Sequence, residues 1–154
     1  MDNEAVSFLP HAWYETLAKG RTGWEGCENW FSGLPLIAWF KLIPGASRGQ
    51  GWLWLYAEVG PLSDHKLRSG LISAIKEEAS EARLNRIAFQ SNSCAEGKRA
   101  SKFFNTNKKS IKNIYDVEIL EAAMKALLCE FEKEFQAVER AIPKWIQTFS
   151  VKAL

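Results

Sequence analysis

Six basic residues fall between Lys98 and Lys112: Lys98, Arg99, Lys102, Lys108, Lys109 and Lys112, and no acid lies between Glu96 and Asp116. The whole chain has a net charge of only +2, so the rest of it is net acidic and the positive field is concentrated in this one segment. Ser101, Asn105, Thr106, Asn107 and Ser110 add neutral hydrogen-bond donors to the same segment. Lysines among short polar side chains suit contact with the phosphates of DNA or RNA without regard to sequence, each neutralised phosphate releasing counterions. The same composition also makes a solvated surface loop. Both readings stand at the level of sequence.

Glu58 is the other residue whose setting suggests chemistry. In the run Trp52 to Val59, a strand period puts Glu58 on one face with Trp52, Trp54 and Tyr56. A carboxylate among rings is either raised in pKa or paired. It reads as a strand-end acid reaching solvent or a Lys or Arg, or else as a site acid. Other chemistries find little support. A metal centre needs several His, Cys or carboxylate ligands brought together, and only His11 and His65 are present, neither with a second His or Cys at ligand spacing. Cys27, Cys94 and Cys129 are odd in number, widely spaced and without a CxxC pair, which argues against a disulfide framework and for a reducing compartment. Cys129 reads as a small buried filler and Cys94 as an exposed thiol with nothing to activate it. Ser32-Gly33 lacks the surroundings of a nucleophile elbow. The glycine-rich stretch Gly45–Gly51 lacks the Gly-Lys-Ser/Thr ending of a phosphate loop and leads into a strand. No catalytic residue, metal ligand or cofactor is assigned.

The elements that would position these residues are more legible. The strand over Trp52–Val59 is apolar on nearly both faces, which places it in mid-sheet and predicts cover on both sides. Gly60-Pro61 ends it. Leu34–Ile43 is a second strand, and the glycine-containing connector makes the two an antiparallel hairpin. Asp64–Arg83 has the helical recurrence Leu67, Leu71, Ile72, Ile75, Ala79, Ala82, with Ser63 or Asp64 as N-cap. Its opposite face, with Lys66, Arg68, Lys76, Glu77, Glu78 and Glu81, reads as solvated. A third strand is expected over Arg86–Gln90, a helical turn over Ala100–Asn105 burying Phe103 and Phe104, and an edge strand over Ile111–Tyr115. Asp116 caps a long helix over Glu118–Ala141, with an apolar stripe from Leu120 through Phe131 and Phe135 to Ile142, interrupted at Pro143. The expected fold is α+β, an antiparallel sheet of three to five strands packed against two main helices.

At 154 residues the chain fits one domain over 1–154, with a loosely ordered N-terminal segment over 1–23. A helical turn or two is expected over His11–Leu17. The aromatic residues of Met1–Gly33, set among glycines, read either as rings laid over a core or edge, or as a surface that stacks bases or a partner. No secretory leader and no apolar run of membrane-spanning length is visible, so a soluble, cytoplasmic protein is expected.

The pattern Trp-Phe-Ser-Gly-Leu-Pro-Leu-Ile from Trp30, then Leu-Tyr-Ala-Glu-Val-Gly-Pro-Leu to Leu62, is followed by a helix of paired basic and acidic residues. After it come the Lys/Asn/Ser segment with Phe103-Phe104 and the Asp116-capped helix. Over Trp24–Ile142 this resembles the C-terminal accessory region of bacterial PD-(D/E)XK nuclease-superfamily proteins, some associated with restriction or phage defence. The catalytic motif of that superfamily, an Asp followed by Glu-x-Lys on a strand, has no counterpart: Glu58 is followed by Val59 and Gly60. The resemblance therefore implies an accessory half without catalytic residues, acting beside a nuclease or defence partner. Three functions remain in view: a non-catalytic module contacting DNA or RNA, a protein-interaction module or homodimer, and an enzyme whose site the sequence does not disclose. A pocket collecting Glu58 with a second acid and a lysine would favour the last.

Overall fold

The computed structural model describes residues 4–20 and 23–152, with side chains to residue 149. Among these, strand β1 is Glu4–Phe8, helix α1 His11–Gly20, β2 Leu36–Pro44, β3 Gly51–Val59, α2 His65–Glu81, β4 Ser101–Lys102, β5 Lys108–Ile111, α3 Val117–Glu130 and α4 Glu132–Lys152. The five strands form one antiparallel sheet against which the helices pack, the α+β architecture anticipated above. β1 pairs with β2 and β2 with β3, while the far edge of β3 is shared. β4 pairs with its C-terminal end and β5 with its N-terminal end. Asn107 fills the gap between them: its amide donates to the Leu55 carbonyl at 2.6 Å, and its own carbonyl accepts from the Leu55 N–H at 2.8 Å. A buried strand edge that lacks a continuous partner needs such a substitute, because orphaned backbone groups are costly.

The helices cover one face only. By register, Leu36, Ala38, Phe40 and Leu42 of β2 lie opposite Val59, Ala57, Leu55 and Leu53 of β3. All but the partly buried Leu42, which packs against them, join Leu71, Ile72 and Ile75 of α2, Leu127 of α3 and Val138 and Ile142 of α4 in the core cluster. Asp64 is the α2 N-cap, its carboxylate accepting from the Leu67 N–H. α2 and α4 approach closely at Gly70, where a Cβ would meet the Trp145 ring at 3.4 Å. The Trp145 indole donates to the Leu67 carbonyl, and Trp24 stacks on its ring.

Several expectations are corrected by the structure. The cover on both sides of β3 is not met, since its second face has no helical layer. Residues 4–20 of the expected loose segment are a paired strand and a helix whose Trp13 and Leu17 are buried. Arg86–Gln90 is reduced to a single bridge, Ile87 to Phe104. Ala100–Asn105 is extended rather than helical, because β4 and the Phe103 N–H bond to the end of β3. The edge strand lies at Lys108–Ile111. The single long helix is two: Phe131 leaves helical geometry at φ −99° and ψ 11°, wedged between the Phe104 ring and the Arg86 guanidinium. No glycine or proline marks that break. Pro143 stands inside α4 without ending it. Cys129 is exposed, not a buried filler.

Candidate functional site

The second face of the sheet is where the chemistry gathers. β3 presents Trp52, Trp54, Tyr56 and Glu58 there. The register sets Lys41 of β2 opposite Trp54, Trp39 opposite Tyr56 and Ile37 opposite Glu58. From the other side, Lys108 lies opposite Trp54, Ser110 opposite Trp52 and Lys102 opposite Glu58. Strand alternation brings these residues, distant in sequence, onto one surface.

Three of the rings stack in a row, and Lys108 bridges the fourth, Trp52, to them, making a ladder. Trp39 and Tyr56 stack at 4.4 Å between centroids, and Trp54 and Tyr56 lie parallel at 5.6 Å with an interplanar angle of 1°. The Lys102 ammonium stands 4.4 Å from the Tyr56 centroid and 5.1 Å from that of Trp39. The Lys108 ammonium stands 4.5 Å from Trp52 and 4.9 Å from Trp54. Such cation–π contacts hold a lysine at a ring face by roughly 0.5–1 kcal/mol where solvent reaches it, so the ammonium remains easy to redirect. Trp52 is 40% exposed, and Trp39, Trp54 and Tyr56 are half-buried. From Trp52 to Glu58 the ladder runs about 20 Å along the strand.

Glu58 closes one end. The Trp39 indole donates to its carboxylate at 2.6 Å, and the residue is 8% exposed. Burial, and after it the Glu58 charge, push the Tyr56 phenol pKa up, so Tyr56 is neutral at physiological pH. Glu58 lines a shallow depression with Lys98 and Lys102, and no second acid joins them. The collection of acids that would favour an enzyme is therefore not found around Glu58. Among the described residues no three His, Cys, Asp or Glu side chains are placed to hold a metal ion.

The six basic residues do not lie together on one surface. Lys102 and Lys108 lie on the ring ladder. Lys98 lines the depression at the Glu58 end, and Lys112 lines one with Trp52 and Ser110 at the other. Arg99 lies beyond Lys98, beside the start of α2. Lys109 turns to the helical side, where it pairs with Glu130 of α3 at 2.6 Å. Two of the supposed phosphate donors are also committed inside: Asn107 to β3, and Ser101, whose hydroxyl accepts from Arg68. Sequence reasoning missed Trp39 and Lys41 as part of the site. Their signal was present in the alternation of β2, but it becomes meaningful only when the register with β3 is known.

Two charges read as solvated on α2 are in fact buried, Arg68 at 3% exposure and Glu78 at 4%. Glu78 accepts from Lys144 and, at 3.0 Å, from the Arg140 guanidinium, tying α2 to α4. The Lys144 hydrogen bond is the main cause holding the Glu78 carboxyl below its usual range. Burial, with the nearby Glu28 charge second, pushes the Cys27 thiol to about 12, so it stays protonated and inert. No helix among the described residues is long and apolar enough to cross a membrane. Compared with models of protein families, with curated proteins and with solved structures, the chain matches none.

Proposed function

We propose that this chain is a non-catalytic module that binds single-stranded nucleic acid on the open face of its sheet. The observation that carries the reading is the interleaving of rings and ammonium groups on one uncovered surface: Trp39, Trp52, Trp54 and Tyr56 with Lys102 and Lys108. Single strands are held by aromatic platforms on which bases stack, flanked by cations that follow the backbone. Here a base would take the ring face that a lysine now occupies, and the displaced ammonium would meet the adjacent phosphate. Lys41, Lys98 and Lys112 extend the positive charge along the same surface. Stacking on rings and contact with phosphates are both indifferent to base identity, so the binding is sequence-tolerant. The resemblance to an accessory region of nuclease-superfamily proteins fits a module that holds a strand for a partner in phage defence or restriction, from a cytoplasmic location.

The test is a titration of fluorescent single-stranded DNA and RNA at low salt. Binding should weaken steeply as salt rises, and the Trp54→Ala, Tyr56→Ala double variant should lose about 1–3 kcal/mol per stacked base while remaining folded. Absence of affinity for any single strand at low salt would end this reading. A mass that doubles with concentration and is undone by the same double variant would instead assign the face to a second copy of the chain.

A further inference from the structure

Arg68 has no use in the ring ladder, and its environment is unusual for a buried arginine. Its Nε donates to the Gly60 carbonyl at 2.9 Å, Nη1 to the Ser93 carbonyl at 2.5 Å and Nη2 to the Ser101 hydroxyl at 2.7 Å. All three acceptors are neutral, and Arg68 forms no ion pair among the described residues. A guanidinium keeps its charge under any physiological condition, and a buried charge is ordinarily balanced by an opposite one. Burial is also what lowers the Arg68 pKa, chiefly by desolvation. Not all its N–H groups are used by these three bonds.

Arg68, 3% exposed, forms part of the wall of a depression of about 340 Å³, between the Gly26–Ser63 contact and the Ala95–Arg99 loop. His65, Lys98 and Arg99 line it too, and the nearest carboxylate that the structure ties to its wall is that of Glu28, which accepts from the Gly26 N–H at 2.9 Å. Its floor is set by a tight approach: Gly26 has φ +100°, and a Cβ there would lie 2.2 Å from the Pro61 carbonyl oxygen, so only glycine fits. Lys98 lines both this depression and the one that holds Glu58 and Lys102, so the two are neighbours with Lys98 between them.

We infer that this depression is a phosphate site that takes the terminal phosphate of a bound strand, with Arg68 as its fixed cation and Lys98 and Arg99 as its mobile ones. The inference rests on the sheet-face reading for its ligand and adds to it a preference for phosphorylated ends. A terminal phosphate monoester carries about two negative charges against one for a diester of the chain interior, so the three cations Arg68, Lys98 and Arg99 together favour the terminus. Because Arg68 also joins the end of β3 to β4 and the Ser93 loop, its replacement would disturb the fold. Lys98 and Arg99 are the residues to test.

Oligonucleotides identical in sequence, carrying a 5′-phosphate, a 3′-phosphate or hydroxyls at both ends, are titrated against the wild type and the Lys98→Ser, Arg99→Ser double variant. Inorganic phosphate is titrated against both in parallel by amide chemical shift. The expected result is about tenfold tighter binding of one phosphorylated end, erased in the double variant, with phosphate shifting the amides of Gly97 to Arg99 only in the wild type. Equal affinity for all three ends, or phosphate shifts unchanged in the variant, would overturn the inference while leaving the sheet-face reading intact. Loss of all strand binding in Trp54→Ala, Tyr56→Ala, with the phosphate shifts retained, would support two separate sites. Should no oligonucleotide bind the wild type at all, the sheet-face reading and the terminal-phosphate assignment would fall together.

Discussion

The two faces of the sheet use the same strands, yet they are finished differently. On one, Leu53, Leu55, Ala57 and Val59 are at most 3% exposed under the helices. On the other, Trp54 and Tyr56 lie against one another, and Trp52, Trp54 and Tyr56 are faced by Lys102 and Lys108 rather than by a second layer. The difference lies in side-chain chemistry. Aliphatic side chains have only burial to gain and need a second layer. Indole and phenol rings can be half-buried against neighbours while keeping a polar edge or a cation at the surface. A sheet face built from rings and lysines is therefore stable without cover, and it remains available to a ligand that also offers flat rings and charge.

If the faces differ in this way, equal insults to them should differ in effect. The largest is expected on the helical face: Phe131→Asp, replacing a ring that is 0% exposed by a desolvated carboxylate and a cavity that the neighbouring Arg86 guanidinium does not fill, should cost at least about 4 kcal/mol and leave little folded protein. A soluble Phe131→Asp protein with a cooperative urea transition would break the comparison. Trp54→Ala, on the open face, should cost less than about 2 kcal/mol by the same measurement, since the ring is only half-buried.

Next in size is the α2–α4 tie. Glu78→Gln should cost about 1–2 kcal/mol at neutral pH, because both cations of the pair remain partly solvated when the carboxylate is removed. The Glu78 pKa is depressed in the folded state, so its contribution is full above the ordinary glutamate range and is lost as pH falls through the lowered folded value. Stability of the wild type should therefore fall toward that of Glu78→Gln under acid, the two denaturation midpoints converging. A gap that persists to low pH would place the effect in packing instead.

Smaller still is the effect that separates the lysines. Replacing Lys102 and Lys108 by Ala should flatten the log–log salt dependence of single-strand binding by about 1.4, at roughly 0.7 per phosphate contact. Lys109→Ala should leave that slope unchanged and reduce stability by less than about 1 kcal/mol, since its partner is Glu130 on the other side of the sheet. An equal loss of slope from Lys109 would restore the whole Lys98–Lys112 segment as a single contact.

How much of this was legible in the sequence depends on the range of the interaction concerned. The β2–β3 hairpin and α2 with its Asp64 cap follow from local periodicity and capping, and the structure places them within a few residues of expectation. The break at Phe131 was not legible, because what fixes it is packing against Phe104 and Arg86, far away in sequence. The burial of Arg68 was legible in part: it stands three, four, seven and eleven residues before Leu71, Ile72, Ile75 and Ala79, on the apolar stripe of α2, and its charge was what suggested a solvated face. The Gly60, Ser93 and Ser101 acceptors that make its burial possible are not visible in sequence. The basic segment was visible as composition, but strand parity decides which lysines serve the site. Lys108 and Lys109 are adjacent, and alternation sends them to opposite faces.

The central claim is that the open face, and not the basic segment as such, is the binding surface. Indole N–H resonances report on it most directly, because the tryptophans divide between the two faces. Trp13 and Trp145 donate to the carbonyls of Phe135 and Leu67 within the helical layer, while Trp39, Trp52 and Trp54 lie on the ladder. On titration with a short single-stranded oligonucleotide at low salt, the indole signals of Trp39, Trp52 and Trp54 should shift, with those of Trp13 and Trp145 unmoved. Saturable binding that shifts only the backbone amides of residues 98–112 and leaves all three ladder indoles in place would contradict the account.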